Sequence, residues 1–194
     1  MAEDAPFVTP DWSAPLYLER RLSEVPSDAW VKGMYLNALA DDMQAAGKPP
    51  KNPRRWVAFK NVPMREWLEL LVEATAAIHP RSPPREALRR MGQKGYQTFA
   101  KSIAGRVLID LGGVELASAL RVIPAIYRNV SAGSCEIDID AKKRIAIARL
   151  RNIWDWPDAW QVGLFEGGCL AFREVGTVRV RLHSICDADL EIKW

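Results

Sequence analysis

The stretch that decides the fold is residues 154–194, WDWPDAWQVGLFEGGCLAFREVGTVRVRLHSICDADLEIKW. Its Trp-Pro-Asp opening, followed by a glycine-punctuated apolar run, predicts a helix over residues 156–174. Apolar residues then alternate with polar ones over residues 178–183 and 189–194, which is typical of half-buried strands. The stretch therefore predicts one helix followed by two strands.

A further pair of strands is predicted just before this helix. Residues 135–140 and 145–150 alternate along the chain with a period of two, and residues 141–143 form a turn between them. The complete unit is a β-β-α-β-β antiparallel sheet unit. The basic outer residues of its third strand and the largely acidic ones of its fourth are expected to pair across the ladder.

The chain before the sheet unit has apolar residues at helical spacing, which predicts an N-terminal helical half. The predicted helices are residues 28–47, 63–78, 83–111 and 114–127. Residues 1–15 contain three prolines and predict a flexible arm. The fold class is therefore α+β, with one domain over residues 16–194 that divides into a helical half (16–130) and a sheet half (131–194).

The composition is that of an ordinary globular protein. Of 194 residues, 48% are hydrophobic and 26% charged, and the net charge of +3 falls short of the clustered basic surface that nucleic-acid binding requires. The three cysteines form no CxxC pair, which favours reduced thiols. The start of the chain lacks the apolar core of a signal peptide, and the most apolar run, residues 68–78, is too short to cross a bilayer. We expect a cytoplasmic protein without a membrane span or a nucleic-acid partner.

No catalytic or metal-binding pattern is evident. His79 follows a predicted helix and His183 lies on the polar face of a predicted strand, and neither is near a nucleophile motif such as GxSxG. Cys169 and Cys186 could be reactive, but cysteines in helices and strands are usually buried small hydrophobes. We therefore expect a protein that is not an enzyme and holds no metal or cofactor.

Two features have both a structural and a functional interpretation. The glycines of residues 163–168 could suggest a phosphate loop, but they lie inside a predicted helix, which favours close packing of that helix on the sheet. A run of basic residues is either a solvated helix face or a site for an anionic ligand or acidic partner. This run consists of Arg81, Arg85, Arg89, Arg90, Lys94, Lys101 and Arg106.

The three tryptophans at the start of the deciding stretch are the strongest candidates for a site. Their indoles offer stacking surface and N–H donors, so they either pack in the core or line a pocket for a ligand or partner. With two residues from the helical half they form the predicted ligand-binding set. This set is Met34, Tyr127, Trp154, Trp156 and Trp160.

Several segments, in order, resemble a myxobacterial paralogous family of unknown function (DUF2378-like). They are residues 19–26, 31–35, 84–92, 96–100, 161–167 and 178–194, so the resemblance extends over about residues 16–194. A more distant resemblance is to the haem nitric-oxide/oxygen-binding (H-NOX), vinyl-reductase-type and TRAPP-type ligand-binding folds. The family resemblance implies no activity, and the fold resemblance implies a ligand-binding architecture.

Haem sensors of the H-NOX fold need an axial histidine on the helix before the sheet and a Tyr-x-Ser-x-Arg clamp. Residues 114–130 contain no histidine, and Leu150, Asn152 and Trp154 stand where the clamp is expected. The resemblance therefore implies a domain that lacks the usual haem ligands.

Two functions remain open. The first is a non-enzymatic sensor or ligand-binding domain that holds a small apolar molecule between helices and sheet and signals to a partner. The alternative is a protein–protein interaction or scaffold module that binds no small molecule and docks a protein partner or a second copy of itself.

Overall fold

The computed structural model describes residues 5–101 and 115–194. The helices are α1 Leu18–Glu24, α2 Gly33–Ala45, α3 Met64–Ile78, α4 Pro84–Lys101, α5 Leu116–Val130 and α6 Trp160–Ala171. The strands are β1 Trp30–Lys32, β2 Asn61–Pro63, β3 Ser134–Asp140, β4 Ile145–Arg151, β5 Thr177–Leu182 and β6 Ala188–Lys193. The predicted α+β class, with a helical half before a β-β-α-β-β unit, is confirmed. The predicted extension of the third helix over residues 102–111 lies outside the described residues.

The four strands of the sheet half form one antiparallel sheet in the order β3-β4-β6-β5. One face carries fully buried apolar residues such as Leu150, Leu190 and Ile192. On the other face Arg179 is opposite Glu191 in the register and forms an ion pair with it. The predicted pairing of basic and acidic residues across the last two strands is therefore confirmed.

A short two-stranded ladder in the helical half was not predicted. Strand β1 pairs antiparallel with β2, and Val31 lies opposite Val62. Helix α2 begins at Gly33 and not near residue 28 as predicted, because residues 30–32 form strand β1 of this ladder. The backbone turns into the helix at a crowded point, since a Cβ on Gly33 would lie 2.8 Å from the Cβ of Trp56.

The glycines of α6 lie against α4, and not against the sheet as the sequence suggested. A Cβ on Gly163 would meet the carbonyl group of Arg89, and a Cβ on Gly167 would lie 2.9 Å from the Cα of Gln93. Gly92 on α4 is equally crowded by the backbone of α6. Because none of these positions has a side chain, the two helix backbones approach closely, and α6 is held between α4 and the sheet.

The basic run is a solvated face only in part, since Arg81, Arg90 and Lys94 are exposed but Arg85 and Arg89 are not. The side chain of Lys101 and all of Arg106 lie outside the described residues. Arg85 is only 8% exposed and forms a buried ion pair with Asp158. Arg89 donates to both carboxylate oxygens of Glu166 at 2.7 and 3.0 Å. Arg85 therefore joins α4 to the loop just before α6, and Arg89 joins α4 to the middle of α6, so neither is available to an anionic ligand.

The N-terminal arm is extended along the domain from residue 5 onward. Val8 forms two backbone hydrogen bonds with Val180, at 2.9 and 2.8 Å, which cover the outer edge of β5. Trp12 packs under the guanidinium of Arg89, whose Cζ lies 4.9 Å from the ring centroid. The arm thus contacts both the edge of the sheet and α4. No helix among the described residues is long and apolar enough to cross a membrane.

Candidate functional site

A cavity of about 500 Å³ lies between α2, α5 and α6, where the core of the helical half meets the core beneath the sheet. Most of the side chains that line it are apolar. They include Met34, Met91, Leu120, Ile123, Leu164 and Phe165. A cavity of this size with an apolar lining is typical of small-molecule sites in proteins.

A short hydrogen-bonded chain of polar groups lies on one wall of the cavity. Gln161 donates from Nε2 to Oδ1 of Asp155 at 2.6 Å, and Trp67 donates from Nε1 to Oδ2 at 3.2 Å. The hydroxyl of Tyr127 donates in turn to Oε1 of Gln161. Groups from α3, α5 and α6 are thereby joined around a single carboxylate, whose orientation they fix.

The loop between β4 and α6 places Asp155 on this wall. Trp156 has a left-handed backbone with φ of 52°, which turns the chain and explains why α6 begins at Trp160 and not at residue 156 as predicted. The Trp156 indole is fully buried and donates to the carbonyl of Leu16 at 2.9 Å. The loop is anchored by its tryptophans, and the carboxylate between them is left facing the cavity.

Arg21 secures the same loop from the other side. Its Nη1 donates to the carbonyl oxygens of Trp154 at 2.9 Å and Ile185 at 2.6 Å, and its Cζ lies 4.8 Å from the Trp156 ring centroid. Burial lowers the pKa of this guanidinium to about 10. The pKa still leaves Arg21 charged at neutral pH, so a buried cation is held by carbonyl dipoles and an aromatic ring.

The carboxyl group of Asp155 is in an apolar environment. Burial raises its pKa above 3.8, although the hydrogen bonds from Gln161 and Trp67 and the charge of Arg21 act in the opposite direction. Burial likewise raises the pKa values of Tyr35 and Tyr127, which also line the cavity. This wall of the cavity therefore disfavours negative charge that has no positive partner.

The aromatic rings around Asp155 meet at steep angles. The ring centroids of Trp67 and Trp160 are 5.4 Å apart with an interplanar angle of 77°. Those of Tyr35 and Trp67 are 6.4 Å apart with an angle of 61°. Because the ring planes are steeply inclined, the rings pack edge to face and not in a parallel stack.

Three of the five residues predicted as ligand-binding line this cavity, namely Met34, Tyr127 and Trp160. Trp154 and Trp156 are not among its lining residues. Trp156 packs in the core against Leu16 and Arg21, and Trp154 borders a separate, more open depression beside Arg21 and His183. The structure thus gives these two indoles an anchoring position in the loop.

Sequence reasoning overlooked Asp155 and Gln161, the polar centre of the cavity. One signal was present in the sequence: a carboxylate placed between two tryptophans, Trp154 and Trp156, in an apolar stretch. Tryptophan is highly buried on average, so an acidic residue between two of them is expected to have reduced access to water.

No histidine or cysteine is among the described residues that line the cavity. His79 caps the C-terminus of α3, and His183 follows β5, with its Nε2 3.0 Å from Oδ2 of Asp189. Burial raises the pKa of the Cys135 thiol to about 12 and that of Cys169 to about 11, which makes both unreactive at neutral pH. Among the described residues, no group of His, Cys, Asp and Glu side chains could hold a metal ion.

The raised pKa of Asp155 predicts a pH-dependent stability. Between the unfolded-state pKa of 3.8 and the higher folded-state pKa, the folded protein binds more protons, so the free energy of unfolding falls as pH rises through that window. We expect Asp155→Asn to remove this contribution and to flatten the dependence. Urea unfolding of both proteins at several pH values above 3.8 checks this. Parallel curves for the two proteins would contradict it.

Several solved structures of H-NOX proteins share the fold of this chain. An H-NOX mutant from K. algicida in the Fe(II) unliganded state has a TM-score of 0.61 and 11% identity, and the match covers 84% of this chain and 95% of that one. An H-NOX protein from S. oneidensis in the Fe(II)NO state has a TM-score of 0.60 and 15% identity, with 84% and 98% covered. A T. Tengcongensis H-NOX mutant has a TM-score of 0.57 and 14% identity, with 83% and 93% covered. At these identities the likeness establishes the fold alone.

Comparison with curated protein sequences finds no match. A family model does match, over residues 25–194, and it describes a protein of unknown function (DUF2378). The matched residues include every strand of the fold, and also α4 and α6, the two helices that approach closely at their glycines. The chain therefore belongs to the DUF2378 family and has an H-NOX-like fold.

Proposed function

We propose that this chain is a non-enzymatic sensor domain that binds a small, largely apolar molecule and signals its presence to a partner protein. The observation that carries the proposal is the cavity of about 500 Å³ with apolar walls and one organised polar cluster. Pockets that bind small molecules have this combination of a hydrophobic lining and a few placed polar groups. The H-NOX-like fold adds support, because the fold is one that holds a ligand in its relatives, such as the S. oneidensis protein with NO on iron.

The residues present do not favour a histidine-ligated haem in this cavity. The chain has two histidines, and both lie at sites other than the cavity lining that the structure describes. A tyrosinate ligand is disfavoured as well, because burial raises the pKa of Tyr127 and its hydroxyl is engaged by Gln161. The proposed ligand is therefore a molecule other than the haem of the H-NOX family.

A protein-interaction module is the second candidate, and one surface feature favours it. Val57 and Phe59 are 63% and 69% exposed, an unusual position for two neighbouring large apolar side chains. Ala58, between them, lines the cavity. The same loop could thus transmit the occupancy of the cavity to a docked protein, or it could bind a protein without any ligand.

The test is a binding assay with neutral N-phenyl-1-naphthylamine, a fluorophore whose emission rises in apolar sites, combined with native mass spectrometry and an absorbance spectrum. Ala38 lines the cavity on α2, so we expect Ala38→Trp to fill it and to weaken probe binding at least tenfold. Ala45→Trp, on the exposed side of the same helix, is the matched control and should bind as the unmodified protein does.

Three outcomes would count against the proposal. Equal probe binding by both variants would place the site elsewhere. The interaction module would be favoured if native mass spectrometry showed no bound small molecule, the fluorophore did not bind and the protein captured a partner. A Soret band in the purified protein would show that haem is the ligand.

A further inference from the structure

We propose that the ligand of the cavity is an organic cation, an ammonium group on an apolar body, and that Asp155 is its counter-ion. This inference rests on the proposed function, since it specifies the chemistry of a molecule in the same cavity. It names a class of ligand, namely amines and quaternary ammonium compounds.

The first argument is the pairing of the carboxylates around the cavity. Asp41 and Asp42 also border it, but Asp41 is 2.6 Å from a nitrogen of Arg55 and Asp42 is 2.7 Å from Nζ of Lys94. Within the described parts of the chain, Asp155 forms no such ion pair. The side chains that donate hydrogen bonds to it, Gln161 and Trp67, are neutral.

Arg21, the buried cation that acts on the pKa of Asp155, is not arranged to neutralise it. Arg21 acts on its pKa only as the weakest of the contributions that lower it. Its Nη1 is used by the carbonyl oxygens of Trp154 and Ile185, so it supports the loop and forms no ion pair with the carboxylate. A positively charged group on a ligand would neutralise the Asp155 carboxylate.

The second argument is the capacity of the carboxylate. An ionised carboxylate has about four acceptor positions, and Asp155 uses one on each oxygen. The hydrogen bonds hold the carboxylate in one orientation, and Asp155 is among the residues that line the cavity. A protonated amine could donate to one of the remaining acceptor positions without moving Gln161 or Trp67, whereas a quaternary ammonium, which has no N–H, would approach the carboxylate as a charge alone.

The third argument is the aromatic surroundings. Tyr35, Trp67, Tyr127 and Trp160 all line the cavity together with Asp155. Aromatic rings set at steep angles around a carboxylate form the type of cage that recognises quaternary ammonium ions through cation–π attraction. The carboxylate of Asp155 would repel an anion and would not attract a neutral apolar molecule. An organic cation is the class of ligand that both the carboxylate and the aromatic rings attract.

The experiment compares two probes of nearly the same shape, benzyltrimethylammonium and its neutral carbon isostere neopentylbenzene. Each is used to displace N-phenyl-1-naphthylamine from the protein at mildly alkaline pH. We expect the cation to bind at least tenfold more tightly than the isostere. Asp155→Asn should reduce that preference at least tenfold and leave the affinity of the isostere unchanged. Asp28→Asn, which removes a charge from an exposed position, is the control and should behave as the unmodified protein does.

The comparison on the unmodified protein decides the question even if Asp155→Asn fails to fold. Equal or tighter binding of the neutral isostere would overturn the inference and leave the proposed function intact, because the cavity would still bind an apolar molecule. Absence of binding by the fluorophore and by both probes would overturn the proposed function together with the inference. A preference for the cation that persists in folded Asp155→Asn would overturn the role of this carboxylate.

Discussion

Gly163→Ala is expected to lower the free energy of unfolding by about 3 kcal/mol, although alanine is the better helix former. A Cβ at this position would meet the carbonyl group of Arg89 on α4 and would lie 3.0 Å from the backbone nitrogen of Gln93. Both groups belong to the backbone and cannot rotate away, so the two helices would have to separate. Urea unfolding followed by circular dichroism measures the loss.

Gly168→Ala is the matched control on the same helix. Its Cβ would meet only the ring of Tyr96, at 3.4 Å, which is an ordinary contact. This variant should therefore be as stable as the unmodified protein or gain up to about 1 kcal/mol from helix propensity. Similar losses for both variants would show that glycine is needed for another reason than the close approach of α4 and α6.

Asp158→Ala is the second change with a large expected effect, a loss of about 3 to 5 kcal/mol. Asp158 is 7% exposed and pairs with Arg85, which is 8% exposed. Removing the carboxylate leaves a guanidinium buried with one remaining hydrogen bond to the carbonyl of Pro15 at 3.2 Å. The double variant Arg85→Met/Asp158→Leu, which removes both charges, should recover most of the stability.

An exposed ion pair provides the control for this prediction. Arg149 and Asp138 pair at 2.6 Å on the outer face of the sheet, with side-chain exposures of 39% and 68%. Asp138→Ala should cost less than about 1 kcal/mol, because water screens the pair. If Asp158→Ala were no more damaging than Asp138→Ala in urea unfolding, the buried pair would not link α4 to α6 as described.

The sheet half was predictable because its signals are local. The period of two in residues 135–140 and 178–183 is visible in the sequence, and the charged residues mark the outer face. The β1–β2 ladder was missed because three residues are too few to show a period. The partners of Arg85 and Arg89 were missed for another reason: Asp158 and Glu166 lie 73 and 77 residues further along the chain, and helical spacing gives no information about such distant contacts.

The candidate site was predictable in part. Met34, Tyr127 and Trp160 of the predicted set line the cavity. The glycines of α6 were correctly interpreted as a packing surface, but the sequence could not show which neighbour packs there. Asp155 was missed because the burial of a carboxylate depends on tertiary structure, here on α3, α5 and α6 converging upon it.

The most direct test of a cavity that binds a cation is a crystal structure of the protein with benzyltrimethylammonium. The account predicts density for the probe inside the cavity, with its ammonium beside the Asp155 carboxylate and within about 6 Å of the centroids of the surrounding rings. A cavity closed by the protein's own side chains, or an ammonium bound only at the surface, would contradict it.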